Sequence, residues 1–229
     1  IFNPGEGYVN DPQLATRNLC KAAEAHGAEF LLSRTVTEVR RNPEKVLGVT
    51  LDDAEEIDSD IVVNVSGPHS FVINRMAGVE AGMNVKTRAL RHEVHYLPAP
   101  DGVDFERAGC PTSDNDNGIY FRPEAGNLLL VGSGDPLCDP MEWIEDPDDF
   151  NHQVSQTRWK AQTYRLAKRF PDLRVPNKPM GIADLYDVSD DWIPIYDRSD
   201  LPGFYMAIGT SGNQFKNAAP VAHIMAALI

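Results

Sequence analysis

Residues 204–229 read FYMAIGTSGNQFKNAAPVAHIMAALI, and the order of residue types in this stretch decides the fold class. The mostly apolar run from Phe204 to Ile208 suits a buried strand. Gly209-Thr210-Ser211-Gly212 breaks it, and from Ala218 the chain is apolar enough for a largely buried helix. Strand, glycine turn and helix in succession make an α/β unit. Such a turn can bring backbone N–H groups close to a ligand, because glycine accepts the required dihedrals and carries no Cβ. An ordinary strand-to-helix connection looks the same in sequence.

The rest of the chain bounds what this unit can belong to. Its 229 residues, 42% of them hydrophobic, can bury one large core or two small ones. With 21 Lys and Arg against 34 Asp and Glu the net charge is −13, and no basic run is present, so no nucleic-acid partner is expected. Cys20, Cys110 and Cys138 are odd in number and far apart, so they build neither a disulfide framework nor a zinc site. A reducing compartment, and hence a cytoplasmic location, is expected. No apolar run reaches the roughly 18 residues of a membrane span, and the opening IFNPGEGYVNDP lacks the parts of a signal peptide. The opening also lacks an initiator Met, so the chain reads as the interior of something longer.

Upstream, Asn10-Asp11-Pro12 signals a helix start, with Asp11 as cap and Pro12 at the first position, and Gly27 is placed as its stop. A helix over residues 13–26 is expected, with Leu14, Leu19, Ala22, Ala23 and Ala25 on its apolar side. AEFLLS then reads as a strand. RTVTEVRRN and KVLGVTLDD read as two strands around a turn at Asn42-Pro43, and EEIDSDIVVNVSG as a polar lead-in to a short buried strand over residues 61–65. After Ala77 the pieces RALRHEVHYLPAP, GIYFRPE and NLLLVGSGD, separated by Pro, Gly, Asn and Asp, suit an antiparallel sheet. A helix is expected over residues 149–170, then more strands through WIPIYDRSD.

Several motifs compete for the chemistry. LLLVGSGDP invites a dinucleotide-binding reading, but the third glycine is missing and Asp135-Pro136 and Asp139-Pro140 block the helix that must follow. The six histidines form no metal-ligand spacing, and no metal is expected. His92 and His95 lie three apart on a strand, so they face opposite sides and only one can line a given cavity. Ser211 in GTSGN departs from G-x-S-x-G at Asn213, and no base or acid for a hydrolase can be assigned. Arg122, next to the aromatics Tyr120 and Phe121 in YFRPE, offers a rigid fork for a carboxylate beside an aromatic wall; a surface ion pair with Glu124 is the competing reading. Lys216 places a cation at a helix start, an unfavourable position unless an anion is nearby.

Taken in order, GYVNDPQLATRNLCKAAEAHGAEF, TVTEVRR, DIVVNVSGPHS, GIYFRPEAGNLLLVG and GFYMAIGTSGNQFK resemble the FAD-dependent oxidoreductases of the D-amino-acid oxidase class. The similarity is to the sarcosine oxidase, dimethylglycine dehydrogenase and glycine oxidase-like branches, and it covers nearly the whole chain. It implies an α/β (α+β) fold: part of a Rossmann-like FAD-binding domain, residues 1–77 and 201–229, plus an antiparallel-sheet substrate domain, residues 78–200. FAD is the implied cofactor. Val36 would meet the adenine end, and Ser66 and Gly67 would pass near the cofactor. Gly209, Thr210, Ser211, Gly212, Asn213, Gln214, Phe215 and Lys216 would lie against the pyrimidine side of the flavin.

The resemblance further implies that Tyr120, Arg122, Lys216 and His92 serve a small amine or amino-acid substrate. The glycine-rich βαβ unit of the family is not in this sequence, so whether the chain alone holds FAD is open. Monomeric sarcosine oxidases carry a lysine where this chain has Leu130 and a flavin-tethering cysteine near the place of Asp184; both differences favour a dehydrogenase or a non-covalent oxidase. A non-catalytic subunit that keeps the fold is the alternative. Substrate identity, electron acceptor and oligomerisation are left open.

Overall fold

The structure is a computed structural model that describes residues 5, 7–134 and 139–229. It divides into two compact units: Ile1–Phe30, His92–Met141 and Asn151–Asp184 form the first, and Leu31–Arg91, Glu142–Phe150 and Leu185–Ile229 the second. Two of the strands below, Thr87–Pro98 and Gly181–Ser189, have residues in both.

In the first unit, helix α1 (Pro12–Ala25) begins as its sequence dictates. Asp11 accepts the N–H of Leu14 at 2.8 Å and Pro12 occupies the first turn; Gly27, at φ +91°, ends it. Its expected apolar side is open: α1 has no buried residue, and Leu14 and Leu19 are exposed.

In the second unit β1 (Val36–Arg41), β2 (Val46–Leu51) and β3 (Glu56–Asp58) form an antiparallel sheet in that order. The turn between β1 and β2 is tied by Asn42, whose side-chain oxygen accepts the N–H groups of Glu44 and Lys45. β4 (Val62–Asn64) leads into a short 3₁₀ turn and α2 (Ser70–Ala77), closed by Gly78 at φ +71°.

β5 (Thr87–Pro98), the short α3 (Phe105–Ala108), β6 (Thr112–Asp114), β7 (Ile119–Glu124), β8 (Leu128–Gly132), β9 (Glu142–Ile144), α4 (Gln156–Ala167) and β10 (Gly181–Ser189) follow. Their sheet has the order β10-β5-β8-β7-β6, with β9 paired to β5. β11 (Ile195–Arg198), β12 (Phe204–Ile208) and α5 (Ala218–Leu228) complete the chain. A third sheet, β11-β12-β4, pairs β11 and β12 antiparallel and β12 and β4 parallel.

Each unit has its own core. In the first, the alternation of β7 sends Ile119 and Phe121 inward with Leu97, Leu129 and Val131, under Trp159 and Leu166 of α4. Full burial of Leu166 alone is worth about 1.5–3 kcal/mol. In the second, Phe204, Met206 and Ile208 of β12 pack with Val39, Val46 and Ala77.

Four expectations are corrected. AEFLLS is not a strand: residues 28–33 are irregular, Leu31 and Leu32 are exposed, and Ser33 takes φ +58°. Apolar residues alone do not make a strand without a neighbour to complete its ladder. The helix expected over 149–170 spans only Gln156–Ala167, because Ser155 caps it by accepting the N–H of Arg158. The polar lead-in EEIDSD contains a strand, β3. The terminal helix is not largely buried; α5 packs against β11 and buries only Met225.

Candidate functional site

In the second unit two loops leave the carboxyl ends of parallel neighbours. The register pairs Phe204 with Val62 and Met206 with Asn64, so the loop after β4 and the loop after β12 emerge at the same end of the pair. Open α/β sheets present their ligand crevices there.

The β12 loop is the glycine turn. Gly209, Ser211 and Gly212 have φ of +68°, +48° and +73°. At Gly212 a Cβ would stand 2.2 Å from the ring of Tyr186, so only glycine fits. Asp187 clasps the turn: its Oδ2 accepts the N–H of Gly209 at 2.6 Å, and its backbone carbonyl accepts that of Ser211 at 2.7 Å. Burial raises the Asp187 carboxyl to about 6, against the hydrogen bonds it accepts from Gly209 and Ser70.

Thr210, Gly212, Asn213, Gln214 and Phe215 line a groove of about 420 Å³, closed by Tyr196, Ala207, Ala218 and Val221. Gln214 is fixed by the Tyr196 hydroxyl at 3.0 Å and by Asn217 at 2.5 Å. Lys216 is exposed in the 3₁₀ turn before α5 and forms no ion pair among the described residues. Ser211 is 4% exposed and its hydroxyl donates to the Gly209 carbonyl at 3.1 Å. Among the described residues no histidine meets that hydroxyl, so a hydrolytic triad is not assembled.

In the β4 loop, Ser66 is exposed and Gly67 takes φ +55°. Buried Asn64 holds this loop by accepting the Ser66 N–H at 3.1 Å while donating to the Ser70 carbonyl and Asn74. Val36 opens β1 opposite Leu51 and does not line the groove.

In the first unit the register puts Tyr120 opposite Gly132, Arg122 opposite Leu130, and Val94 and Tyr96 opposite the same two β8 residues. Tyr120, Arg122, Leu130 and His92 therefore share one face of the sheet. Tyr120 and His92 stack at 11°, with Nε2 3.3 Å from the phenol oxygen. Burial, with help from the Arg158 charge, lowers His92 to about 4, so it is neutral at pH 7. His95 faces the other way, fully buried against Trp159 and bonded to Gln162 at 2.8 Å. Arg122 is paired with Glu124 at 2.9 Å, donates to the Pro123 carbonyl, and lies over the ring of Tyr8.

The first glycine of the GSG run has a packing reason: a Cβ on Gly132 would stand 2.3 Å from the Tyr120 hydroxyl. Of the residues blocking a helix there, Asp135 and Pro136, like Cys138, lie outside the described residues; Cys20 and Cys110 are free thiols. The sequence reading missed Gly132, Tyr186 and Asp187. Of these only Gly132 carried a signal, and its cause, the Tyr120 ring, lay elsewhere in the chain. Among the described residues no helix is long and apolar enough to cross a membrane.

The fold is shared with solved structures. L-Proline dehydrogenase from P. horikoshii superposes with a TM-score of 0.77 at 21% identity, over 95% of this chain and 55% of that one. Glycine oxidase from Geobacillus kaustophilus gives 0.74 at 19%, over 98% and 55%. A fructosyl peptide oxidase gives 0.67 at 16%, over 94% and 54%. The chain thus spans about 55% of the length of the first of these. No curated protein sequence matches it. The family described as FAD dependent oxidoreductase (DAO) matches residues 1–228, and the protein belongs to that family.

Proposed function

We propose that this protein takes part in the oxidation of a small amine or amino acid, an N-methylated glycine or a D- or imino acid. In this reading residues 1–77 and 201–229 hold the flavin and residues 78–200 the substrate. The observation that carries it is the groove in which Thr210, Gly212, Asn213, Gln214 and Phe215 converge. Its donors fit part of a flavin: a hydroxyl, side-chain amides and an apolar wall, with no carboxylate in the lining to repel electron-rich ring carbonyls.

Bound FAD would accept a hydride equivalent from the substrate carbon next to nitrogen. The chain's own residues bind and orient. Exposed Lys216 supplies an ammonium for a carboxylate, and its cost at a helix start is lowered when the anion is present. Arg122 supplies a second cation, for which substrate would compete with Glu124. Neutral His92 holds the Tyr120 phenol in place without adding charge. Leu130 beside Arg122 puts no cation on that strand, which supports a dehydrogenase with a separate electron acceptor over an oxidase.

The pairing of Arg122 with Glu124 favours one rival, a subunit that keeps the fold without chemistry. A flavin absorbance spectrum of the purified gene product, followed by anaerobic titration with sarcosine, dimethylglycine and D-proline, separates the two. Bleaching of the flavin band supports the oxidoreductase; a colourless protein, or a flavin that none of these amines bleaches, supports the subunit.

A further inference from the structure

Asp187 is a carboxylate in an unusual position: 2% exposed, at the meeting of both loops described above. Its Oδ2 is shared by the Gly209 N–H at 2.6 Å and the Ser70 hydroxyl at 3.3 Å. Its backbone carbonyl takes the Ser211 N–H at 2.7 Å. The remaining oxygen, Oδ1, is buried without a hydrogen-bond partner, and so is the hydroxyl of Thr87, which acts on the same carboxyl. A Cβ on Gly209 would press on Thr87 and Ser189, so the turn closes directly over this cluster.

We propose that Asp187 is the positioning residue of the site, a clasp that fixes the Gly209–Ser211 amides and the Ser70 end of the β4 loop together, and that its ionisation sets how firmly both are held. The proposal rests on the flavin reading for its consequence toward the cofactor and on geometry alone for the clasp. A charged acceptor strengthens each bond to Gly209 and Ser70, but burial under the turn disfavours the charge by more, so the protonated clasp is the firmer one. A proton on Oδ1 removes the buried charge while Oδ2 goes on accepting from Gly209 and Ser70. The two states are close enough to interchange, with the carboxyl raised by burial to about 6.

Charged groups on the surrounding elements are engaged elsewhere. Asp190 accepts the Lys86 N–H and pairs with Arg88, Asp191 accepts the Ile193 N–H, His69 pairs with Asp148, and Arg75 pairs with Glu80. β12 contributes no charged residue. The titration therefore belongs to Asp187 itself.

The test is amide hydrogen exchange at Gly209 and Ser211 across pH 4.5–7.5 in the purified gene product without flavin, as protection factors, for wild type, Asp187→Asn and Ser70→Ala. Flavin titration of the same proteins gives the affinity. In the wild type, Gly209 protection should fall about ten-fold as pH rises through the Asp187 titration. Asp187→Asn, nearly isosteric and neutral, should fold and abolish that change. Ser70→Ala should keep the change and loosen only the β4 loop. Flavin affinity should follow Gly209 protection in all three.

A wild-type profile that Asp187→Asn reproduces overturns the clasp. Protection that changes while flavin affinity stays level overturns its role toward the cofactor. If the clasp behaves as stated but no variant binds flavin, the functional reading fails, and the role toward the cofactor with it.

Discussion

His92 and Tyr120, 28 residues apart in sequence, lie with their ring planes within 11° of parallel and Nε2 3.3 Å from the phenol oxygen. The contact joins β5 to β7 across β8, where Gly132 leaves room for it. Burial makes this histidine a neutral partner, because its charged form would lose hydration that the Arg158 charge nearby makes still harder to replace.

His92 should therefore titrate near pH 4, below the ordinary histidine range near 6.5. A lowered pKa contributes stability that is present above 6.5 and lost as pH falls through 4. The measurement is the His92 ring-proton shift by NMR from pH 3 to 8. A midpoint above 6 would remove the neutral-partner role.

Asp187 has the opposite sign. Its raised pKa contributes stability that is complete below about 3.8 and lost as pH rises through about 6. Between pH 4 and 6 the two groups oppose each other, so the wild-type melting temperature should vary little on their account. His92→Gln should make it fall with rising pH, and Asp187→Asn should make it rise. Thermal melts of the two variants across that range check the pair.

Gly132→Ala should destabilise the protein by about 1–3 kcal/mol, since the new methyl overlaps the Tyr120 ring. Denaturant unfolding measures the loss. Combining it with Tyr120→Ala should recover part of it, because the second change empties the space the methyl needs.

Asn64→Ala should cost about 2–3 kcal/mol, because it strips buried partners from Ser66, Ser70 and Asn74 at once. Its effect on the loop should show as faster amide exchange at Ser66, with Asn64→Asp recovering only the Ser66 bond.

Lys216→Ala should leave the melting temperature unchanged within error, as the side chain is exposed and makes no ion pair among the described residues. In the proposed reaction it should raise KM for a carboxylate-bearing amine about ten-fold or more and leave kcat comparatively unaffected, the mark of a group that binds charge. Steady-state kinetics with substrate pairs differing only in the carboxylate decide it. Equal effects on both members of a pair would remove Lys216 from the site.

Residue order alone reaches the local features. Asp11 and Pro12 set the start of α1, Asn42 set the turn between β1 and β2, and IYFRPE was readable as a strand, β7. Each depends on neighbours within a few residues, where spacing and residue type are enough. The glycine turn was legible for the same reason: positive φ leaves its mark on residue choice.

What those residues meet is set by the packing of the folded chain. Which histidine of His92 and His95 faces Tyr120 depends on where α4 packs, and the meaning of Gly132 and Gly212 depends on rings 12 and 26 residues away in sequence, those of Tyr120 and Tyr186. Asp187 resembles any other acid in LYDVSD until β4 and β12 pair in parallel and bring Ser70 and Gly209 to it. A carboxylate's environment is set by which distant backbone donors reach it and how much water is excluded, and neither quantity is written in its own sequence neighbourhood.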